Sequence, residues 1–304
     1  MFSHDIIKKR ILLIGANGML GLRIVEFFSG KQSIELLCCS VEELPLFENV
    51  DYISCDISKR DEIKKIIFDF YPDVIINAAA YTNVDKSETE RELAWKINVK
   101  GVEYLAESAR IIDAHLIHIS SDYVFDGKSG PYNENEKPNP IGYYGRTKLA
   151  SENALRISGS INTIIRTNVL YGIASKSRPD FVRWVVQTLR ENKSIRIVTD
   201  QINNPTFIDD LVQAINKIID YNKTGIFNIG GKVFLSRYDF TLMIANFFNL
   251  DRSLILPITT EELHQPAKRP LNSGLIILKA ETEIGYKPST IIESLAIMKK
   301  ELSL

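Results

Sequence analysis

The 304-residue sequence predicts an α/β fold, a doubly wound parallel sheet with a smaller, mostly helical lobe. Short apolar runs alternate with longer amphipathic segments along most of the chain, which is typical of strand–helix–strand units. A glycine-rich turn follows the first apolar run directly, and small or polar residues follow the later runs. In a doubly wound sheet, ligands bind at this carboxyl edge of the strands. We therefore expect the functional residues to lie there.

The composition narrows the class of protein. The chain is 45% hydrophobic and 25% charged, with a net charge of −1, so it has no basic field for nucleic acid or an anionic membrane. No apolar run has the length of a transmembrane helix, and the apolar part of the N-terminus is too short for a signal peptide. The three cysteines lack framework spacing and the four histidines lack metal-ligand spacing. We expect a cytoplasmic protein without a metal site.

The first strand is predicted at residues 11–14, a continuous apolar run typical of a strand buried on both faces. The turn GANGMLG follows, and then a helix to about Phe28. Glycines allow close approach of the backbone to a pyrophosphate, and the helix N-terminus offers N–H donors. The spacing is G-x-x-G-x-x-G, and a purely structural turn is the alternative. The interpretation is a Rossmann-type cofactor site with Gly15, Asn17, Gly18, Met19 and Leu20 as binding residues.

The second strand, predicted at residues 34–39, bears on the choice of cofactor. An acid at its end would bind the ribose 2′-OH and favour NAD. The strand ends instead at Ser40, and Glu42 and Glu43 come slightly late. No arginine is placed to bind a 2′-phosphate. The pattern slightly favours NADPH as the cofactor, and NADH is the alternative.

The third and fourth strands, predicted at residues 52–55 and 74–76, also end where a cofactor would lie. The Asp56 carboxylate could meet the adenine ring, and a helix N-cap is the alternative. Small side chains after the fourth strand leave room for a flat ligand. The cofactor-binding residues predicted here are Asp56, Ile57, Ala78, Ala79 and Ala80.

The central stretch contains the candidate catalytic residues. A fifth strand at residues 114–119 leads to Ser121, and after a loop a helix opens near Tyr143. Tyr144 and Lys148 are four residues apart and leave the helix on one face. A phenol pKa of about 10 can be lowered by roughly 1–3 units by a nearby cation, which makes proton transfer at neutral pH faster. A phenol, an ammonium and a serine hydroxyl together could hold and protonate a carbonyl.

The alternation continues to the end of the sheet. A sixth strand is predicted at residues 163–166 and a helix at about 181–191. A small strand at 195–198 precedes the turn DQINNPT, and 225–229 could be a seventh strand of the sheet. We predict that residues 1–172 form the dinucleotide-binding domain and that 200–229 return to its sheet. The predicted substrate-binding lobe comprises residues 173–199 and 230–304.

Seven motifs together resemble one family. GANGMLG, NAAAYTNVDKSE, SSDYVFDG, YYGRTKLASE, RTNVLYG, DQINNPT and KRPLNS occur in this order from Gly15 to Ser273. The chain resembles the extended short-chain dehydrogenase/reductase superfamily and, more narrowly, the dTDP-4-dehydrorhamnose reductase family. The glycine turn and the Tyr/Lys pair mark only the superfamily, whereas YTNVDKSE, SDYVFDG, DQ-to-PT and RP-to-S are narrower.

The resemblance implies NADPH-dependent reduction of the C4 keto group of a nucleotide-linked 6-deoxysugar, within dTDP-rhamnose and cell-surface polysaccharide biosynthesis. Tyr144 would protonate the carbonyl oxygen, and Lys148 would bind the nicotinamide ribose and lower the tyrosine pKa. Ser121, where the family usually has threonine, would polarise the same oxygen. The implied cofactor-binding residues include Tyr144, Lys148 and Thr167. The implied substrate-binding residues are Tyr81, Val84, Asp85, Ser121, Asp122 and Arg269, with Arg269 near the diphosphate.

Departures from the family pattern leave several alternatives open. Asn203 stands where the family usually has glycine, and no aspartate follows RPLNS. Some members bind Mg²⁺ at a dimer interface, but no motif here supports that, and a homodimer is left open. Asp85 could be a helix cap, Arg269 a surface arginine and Asn98 a fold-supporting residue. An NAD-recycling epimerase or dehydratase and a regulatory subunit of methionine adenosyltransferase are the alternative functions.

Overall fold

A seven-stranded parallel sheet forms the centre of the computed structural model, which describes residues 8–174 and 179–302. Its strands are β1 (Lys9–Ile14), β2 (Ile34–Ser40), β3 (Asp51–Ser54), β4 (Val74–Asn77), β5 (His115–Ser121), β6 (Asn162–Thr167) and β11 (Gly225–Ile229). The order across the sheet is β11–β6–β5–β4–β1–β2–β3. The predicted doubly wound α/β fold is confirmed.

α-Helices connect the strands of the sheet, and short strands lie outside it. The helices are α1 (Met19–Phe28), α2 (Arg60–Phe70), α3 (Arg91–Trp95), α4 (Gly101–Ile111), α5 (Tyr143–Ile157), α6 (Phe181–Arg190), α7 (Ile208–Asp220), α8 (Arg237–Phe247), α9 (Thr260–Leu263), α10 (Leu278–Ile284) and α11 (Ile291–Glu301). The strands outside the main sheet are β7 (Leu170–Tyr171), β8 (Ile195–Val198), β9 (Ile202–Asn203), β10 (Thr206–Phe207), β12 (Leu235–Ser236) and β13 (Ile255–Ile258).

The apolar runs of the strands are continuous because both faces of the sheet are covered. In β1, Ile11 and Leu13 pack into one hydrophobic cluster, while Leu12 and Ile14 pack into another. Successive side chains of a strand point to opposite faces, so an unbroken apolar run buries both. The sequence pattern therefore identifies an interior strand.

The helical segment that contains Asn98 is interrupted. Residues Lys96–Lys100 form a π-helical turn between α3 and α4. The buried Asn98 side chain accepts a hydrogen bond from Tyr81 N at 2.7 Å and donates to Thr147 Oγ1 at 3.0 Å. It thereby links the loop after β4 to α5, which supports the fold-supporting role left open for Asn98.

The lobe beside the sheet is built on the parallel pair β8–β13 and on the contact between α6 and α8. Helix α10 lies against β11 and α7, so this part of the predicted 230–304 region packs on the sheet. Residues 1–7, 175–178 and 303–304 of the predicted domains lie outside the described residues. Among the residues that are described, no helix is long and apolar enough to cross a membrane.

Candidate active site

The carboxyl edge of the sheet brings the predicted site residues together. Ser121 at the end of β5 is paired in register with Thr167 at the end of β6. On the other side, Ala78 N donates to Ile14 O at 2.9 Å, which places the small residues after β4 beside the glycine turn. These residues lie close together because the parallel strands that precede them all end at the same edge of the sheet.

The glycine turn between β1 and α1 has the geometry of an anion-binding loop. Gly15 has a φ of +86°, and a Cβ there would lie 2.6 Å from Ala79 N. A Cβ at Gly21 would lie 2.1 Å from Gly15 O, so helix and turn are in close contact. Gly18, the exposed N-cap of α1, provides no side-chain hydrogen bond to the first helical turn. The N–H groups of that turn suit a dinucleotide pyrophosphate.

The Asn17 side chain is held by contacts within the protein. Its Nδ2 donates to Leu44 O at 3.0 Å and to Glu42 Oε2 at 3.3 Å, and its Oδ1 accepts from Leu46 N at 3.0 Å. The side chain therefore ties the loop after β2 to the glycine turn. Within the same turn, Met19 is partly buried and Leu20 is buried in the core.

The loop after β2 folds back and brings Glu42 to the glycine turn. Ser40 Oγ donates to Glu42 Oε2 at 2.6 Å. Partial burial alone would raise the pKa of Glu42, but hydrogen bonds from Ser40 and Asn17 outweigh it and lower the pKa. An acid that comes late in the sequence thus lies beside the turn as a carboxylate. This position suits a ribose hydroxyl better than a phosphate.

Asp56 and Ile57 follow β3 as predicted, and both have local structural contacts. Asp56 Oδ1 accepts from Ser58 N at 2.9 Å, which closes the turn before α2. Ile57 is buried and lies against Gly101, where a Cβ would come within 2.8 Å of the Ile57 side chain. The alanines at 78, 79 and 80 are partly exposed, so the space beside them is open to a flat ligand.

Helix α5 gives its two tyrosines different surroundings. The ring of Tyr144 meets the ring of Tyr123 edge to face, with centroids 5.7 Å apart. The Tyr143 backbone N–H donates to Glu88, and the Arg91 guanidinium lies 5.2 Å from the Tyr143 ring centroid. Tyr144 therefore faces the end of β5, as the helical periodicity predicts.

Lys148, one turn further along α5, is buried, with 1% of its surface exposed. Its Nζ donates to Ile119 O at 2.7 Å and lies 3.4 Å from His118 Nε2. Burial lowers the pKa of Lys148 to about 8, and the Glu152 carboxylate offsets part of that effect. The amine is therefore a cation that can lose its proton within the physiological range of pH.

His118 is a neighbour of Lys148 that the sequence did not identify. Asn77 Oδ1 accepts from Ala79 N, so Asn77 Nδ2 is the donor to His118 Nδ1 at 3.1 Å. This assigns the proton of the neutral ring to Nε2, which faces Ser151 Oγ at 3.0 Å. Burial, and secondly the charge of Lys148, hold the pKa of His118 well below its ordinary value. A buried polar residue inside an apolar strand was the only sequence signal.

The expected lowering of the Tyr144 pKa is not found. Burial raises the pKa of this phenol above its ordinary value, and the neighbouring Asp122 and Tyr123 raise it further, while interaction with Ser121 opposes the shift. Lys148 is not among the groups that shift it, because its amine is directed to Ile119 and His118. In the protein itself Tyr144 is a protonated phenol at neutral pH.

Ser121 and Asp122 form a buried hydrogen-bonded pair at the end of β5. Ser121 Oγ donates to Asp122 Oδ1 at 3.0 Å, and Ser273 Oγ donates to the other carboxylate oxygen. Burial raises the pKa of Asp122 to about 6 even though both hydroxyls stabilise the ionised form. Asp122 thus links the end of β5 to the RP-to-S segment, a contact that sequence spacing does not reveal.

Asp85 and Arg269 form an ion pair. Arg269 donates to both carboxylate oxygens of Asp85, at 2.8 Å for Nη2, and also to Ala267 O. The hydrogen bond from Arg269 outweighs burial and is the largest cause that lowers the pKa of Asp85. The two predicted substrate residues therefore neutralise one another. Neither a helix cap nor an isolated surface arginine describes the pair.

The other predicted substrate and cofactor residues also have protein partners. Tyr81 Oη donates to Glu90, which raises the pKa of Tyr81 to about 12. Val84 is half-buried nearby in the chain. Thr167 Oγ1 donates to Thr206 Oγ1 at 2.9 Å and so joins β6 to the DQINNPT turn.

Comparisons with known proteins agree with this geometry. Residues 9–304 match the family model described as the RmlD substrate binding domain. A dTDP-4-dehydrorhamnose reductase from Aggregatibacter actinomycetemcomitans is 35% identical over 292 residues, 92% of this chain and 95% of the relative. The crystal structure of dTDP-4-dehydrorhamnose reductase from Bacillus anthracis in complex with NADP has a TM-score of 0.87 and 30% identity, covering 97% of this chain and 99% of that one. Methionine adenosyltransferase 2 subunit beta from Bos taurus is 32% identical over 284 residues, 91% of this chain and 83% of the relative.

A parallel sheet, a glycine turn after its first strand and a Tyr/Lys pair at its carboxyl edge define an NAD(P)-dependent oxidoreductase of the short-chain dehydrogenase/reductase class. Within that class, the chain belongs to the dTDP-4-dehydrorhamnose reductase family. The family predicted from the seven motifs is confirmed.

Proposed function

We propose that the protein reduces the C4 keto group of a nucleotide-linked 4-keto-6-deoxysugar with NADPH, and that NADH is the alternative donor. The conversion of dTDP-4-dehydrorhamnose to dTDP-L-rhamnose, or a close analogue, is the reaction. The observation that supports it best is the placement of Ser121, Tyr144 and Lys148 at the edge that also holds the glycine turn. The reductase relative of similar length supports the same reaction.

Tyr144 is the proton donor in this reaction. The phenol is protonated at neutral pH, as a proton donor must be. The dinucleotide, when bound, supplies the hydride. Lys148, one turn further along the same helical face, would hold the nicotinamide ribose of the dinucleotide.

Ser121 polarises the ketone oxygen by donating a hydrogen bond. Its hydroxyl donates to Asp122 in the protein, so it must rotate away from that carboxylate before it can reach a substrate. The exchange replaces one hydrogen bond with another, at a net cost of about 1 kcal/mol or less. Tyr81, Val84 and Asp85, in the loop after β4, are the proposed contacts beside the sugar.

The wider assignment follows from this chemistry. The substrate is a nucleotide sugar for dTDP-rhamnose and cell-surface polysaccharide biosynthesis, the location is the cytoplasm, and the assembly is a monomer or a homodimer. No nucleic-acid or membrane partner is proposed. The predicted two-part organisation, with residues 173–199 and 230–304 as the substrate-binding lobe, is part of the same proposal.

The test is an assay of the purified chain with dTDP-, UDP-, GDP- and CDP-linked 4-keto-6-deoxysugars, each with NADPH and with NADH. We expect loss of dinucleotide absorbance in a one-to-one ratio with the reduced sugar. Product formed without net cofactor consumption would indicate an epimerase or dehydratase instead. A lack of turnover with every sugar would contradict the proposal.

The regulatory-subunit alternative is supported by the 32% identity to methionine adenosyltransferase 2 subunit beta. It is not favoured, because a protein that acts only by binding has no need of the Ser121, Tyr144 and Lys148 arrangement. Co-purification with a methionine adenosyltransferase, in a chain inactive on all ketosugars, would favour it.

A further inference from the structure

Two arginines lie beside Tyr123, next to the candidate catalytic residues. Both Arg237 and Arg269 are close enough to the Tyr123 hydroxyl to act on its pKa, and burial is the largest cause of the raised value. Arg269 was predicted from the RP-to-S motif, whereas Arg237 lies in the predicted substrate-binding lobe but was not among the predicted site residues. Both side chains are therefore candidates for contact with an anionic substrate.

The backbone places Arg237 at this edge. It is the first residue of α8, and its N–H donates to Gln201 O at 3.1 Å. The preceding Ser236 pairs with Ile202, whose carbonyl accepts from Ser273 N at 2.9 Å. Ser273 in turn donates to Asp122, so a chain of hydrogen-bonded segments joins the start of α8 to the end of β5.

The two arginines differ in their partners. Arg269 Nη1 and Nη2 donate to the two carboxylate oxygens of Asp85, and Nη1 also donates to Ala267 O. Arg237 is half-buried, and its guanidinium carbon lies 4.7 Å from the ring centroid of Phe181. Among residues 8–174 and 179–302, no carboxylate lies within ion-pair distance of Arg237. Arg269 is thus paired with a carboxylate, whereas Arg237 is not; burial lowers the pKa of Arg237, and the nearby Tyr123 and Asp122 oppose that shift.

We infer that Arg237 binds the diphosphate of the nucleotide sugar, and that Arg269 is a positioning residue that holds the Asp85 loop. This inference rests on the proposed function and specifies its diphosphate subsite. A guanidinium matches two phosphate oxygens with two N–H donors, and the contact with the Phe181 ring holds the Arg237 guanidinium in place. The buried Asp122 accepts hydrogen bonds from Ser121 and Ser273, and the positive charge of Arg237 lowers its pKa without a direct ion pair between them.

The experiment compares ligands with and without phosphates. Binding of dTDP and of thymidine to the full chain is measured by calorimetry for the wild type, Arg237→Gln and Arg237→Lys, and repeated with UDP and uridine. Loss of a charge-assisted contact should weaken binding of the diphosphate by about 10- to 100-fold and leave nucleoside binding unchanged. The lysine variant, which keeps a cation without the fork, should recover part of the affinity.

Two further variants separate binding from positioning. Arg252→Gln, an exposed arginine just beyond the far end of α8, is the matched control and should change neither ligand. Arg269→Gln should weaken nucleotide and nucleoside by similar factors, because it releases the Asp85 loop. Equal losses of both ligands in Arg237→Gln, a loss selective for the diphosphate only in Arg269→Gln, or no binding of either diphosphate to the wild type would overturn the inference.

The test distinguishes this inference from the proposed reaction. Selective loss of dTDP or UDP binding in Arg237→Gln would uphold the subsite even if no ketosugar is reduced. Conversely, if Arg237→Gln reduced the ketosugar at the normal rate and with an unchanged KM for that sugar, the inference would be contradicted and the proposed reaction would be supported.

Discussion

The turn between β1 and α1 offers main-chain groups to the cleft, whereas helix α5 offers side chains. The turn depends on residues that lack a side chain, since a Cβ at Gly15 would overlap the backbone at Ala79. The helix depends on ionisable groups that are buried, and their pKa values move in opposite directions, up for Tyr144 and down for Lys148. Steric fit therefore determines the backbone geometry of the turn, and desolvation determines the pKa values on the helix. The two regions should respond to different substitutions.

The largest expected effect is on the helix. Tyr144→Phe removes the proposed proton donor and should lower kcat by about 10²- to 10⁴-fold, with little change in cofactor affinity. Tyr143→Phe is the matched control, because Tyr143 faces Arg91 instead of the strand end, and its effect should be within about threefold. Kinetics on the preferred ketosugar with thermal melts of both variants would check this. Equal losses would show that the wrong helical face has been chosen.

The turn should be sensitive to a single methyl group. Gly15→Ala places a Cβ 2.6 Å from Ala79 N at a φ of +86°, and it should destabilise the protein by about 2–5 kcal/mol and abolish dinucleotide binding. Gly30→Ala is the control, since Gly30 has a φ of +79° but nothing within 4 Å of the added Cβ. It should cost only about 1–2 kcal/mol from backbone strain. Urea unfolding of the two variants gives the comparison, and similar losses would mean that strain alone governs the turn.

Lys148→Met should separate stability from activity. The folded-state pKa of about 8 is below the ordinary 10.5, so the folded protein binds fewer protons than the unfolded chain between these values. The buried charge is therefore destabilising, fully so below pH 8, and the cost fades as the pH rises towards 10.5. After allowance for the lost hydrogen bond to Ile119, the variant should be inactive yet about 1–3 kcal/mol more stable at pH 7. Unfolding at pH 7 and pH 10 measures this, and a variant less stable at both would contradict it.

The smallest expected effect is on cofactor choice at the glycine turn. The Glu42 carboxylate beside Asn17 should repel a 2′-phosphate, so Glu42→Gln should lower the KM for NADPH relative to NADH by about fivefold. Glu43→Gln, one residue further along the exposed loop, is the control and should leave the ratio of the two KM values unchanged. A ratio unaltered by either substitution would place Glu42 away from the adenosine ribose.

Most of the fold was predictable because it depends on local pattern. The seven strands of the sheet follow from short apolar runs, and the cofactor turn follows from glycine spacing next to one of them. The π-helical turn around Asn98 was not predictable, because it accompanies hydrogen bonds to Tyr81 and Thr147, partners 17 and 49 residues away in the sequence.

The contacts of the predicted site residues were only partly predictable from the sequence. The Tyr144 and Lys148 pair needs only the helical period. The ion pair of Asp85 with Arg269 joins residues 184 positions apart, and periodicity gives no information about such a contact. Asn17 was correctly placed in the glycine turn, but its side chain bonds to a loop that only the folded chain brings back to it.

The sequence by itself determined the sheet, the glycine turn, the helical face of the Tyr/Lys pair and the family. Each of these depends on residue type at short spacing. Only the tertiary structure decided which charges are paired, which remain available and in which direction each pKa moves. Those properties depend on burial and on distances between groups far apart in the chain. The contacts of Arg237, His118 and Glu42 were therefore apparent only in the folded chain.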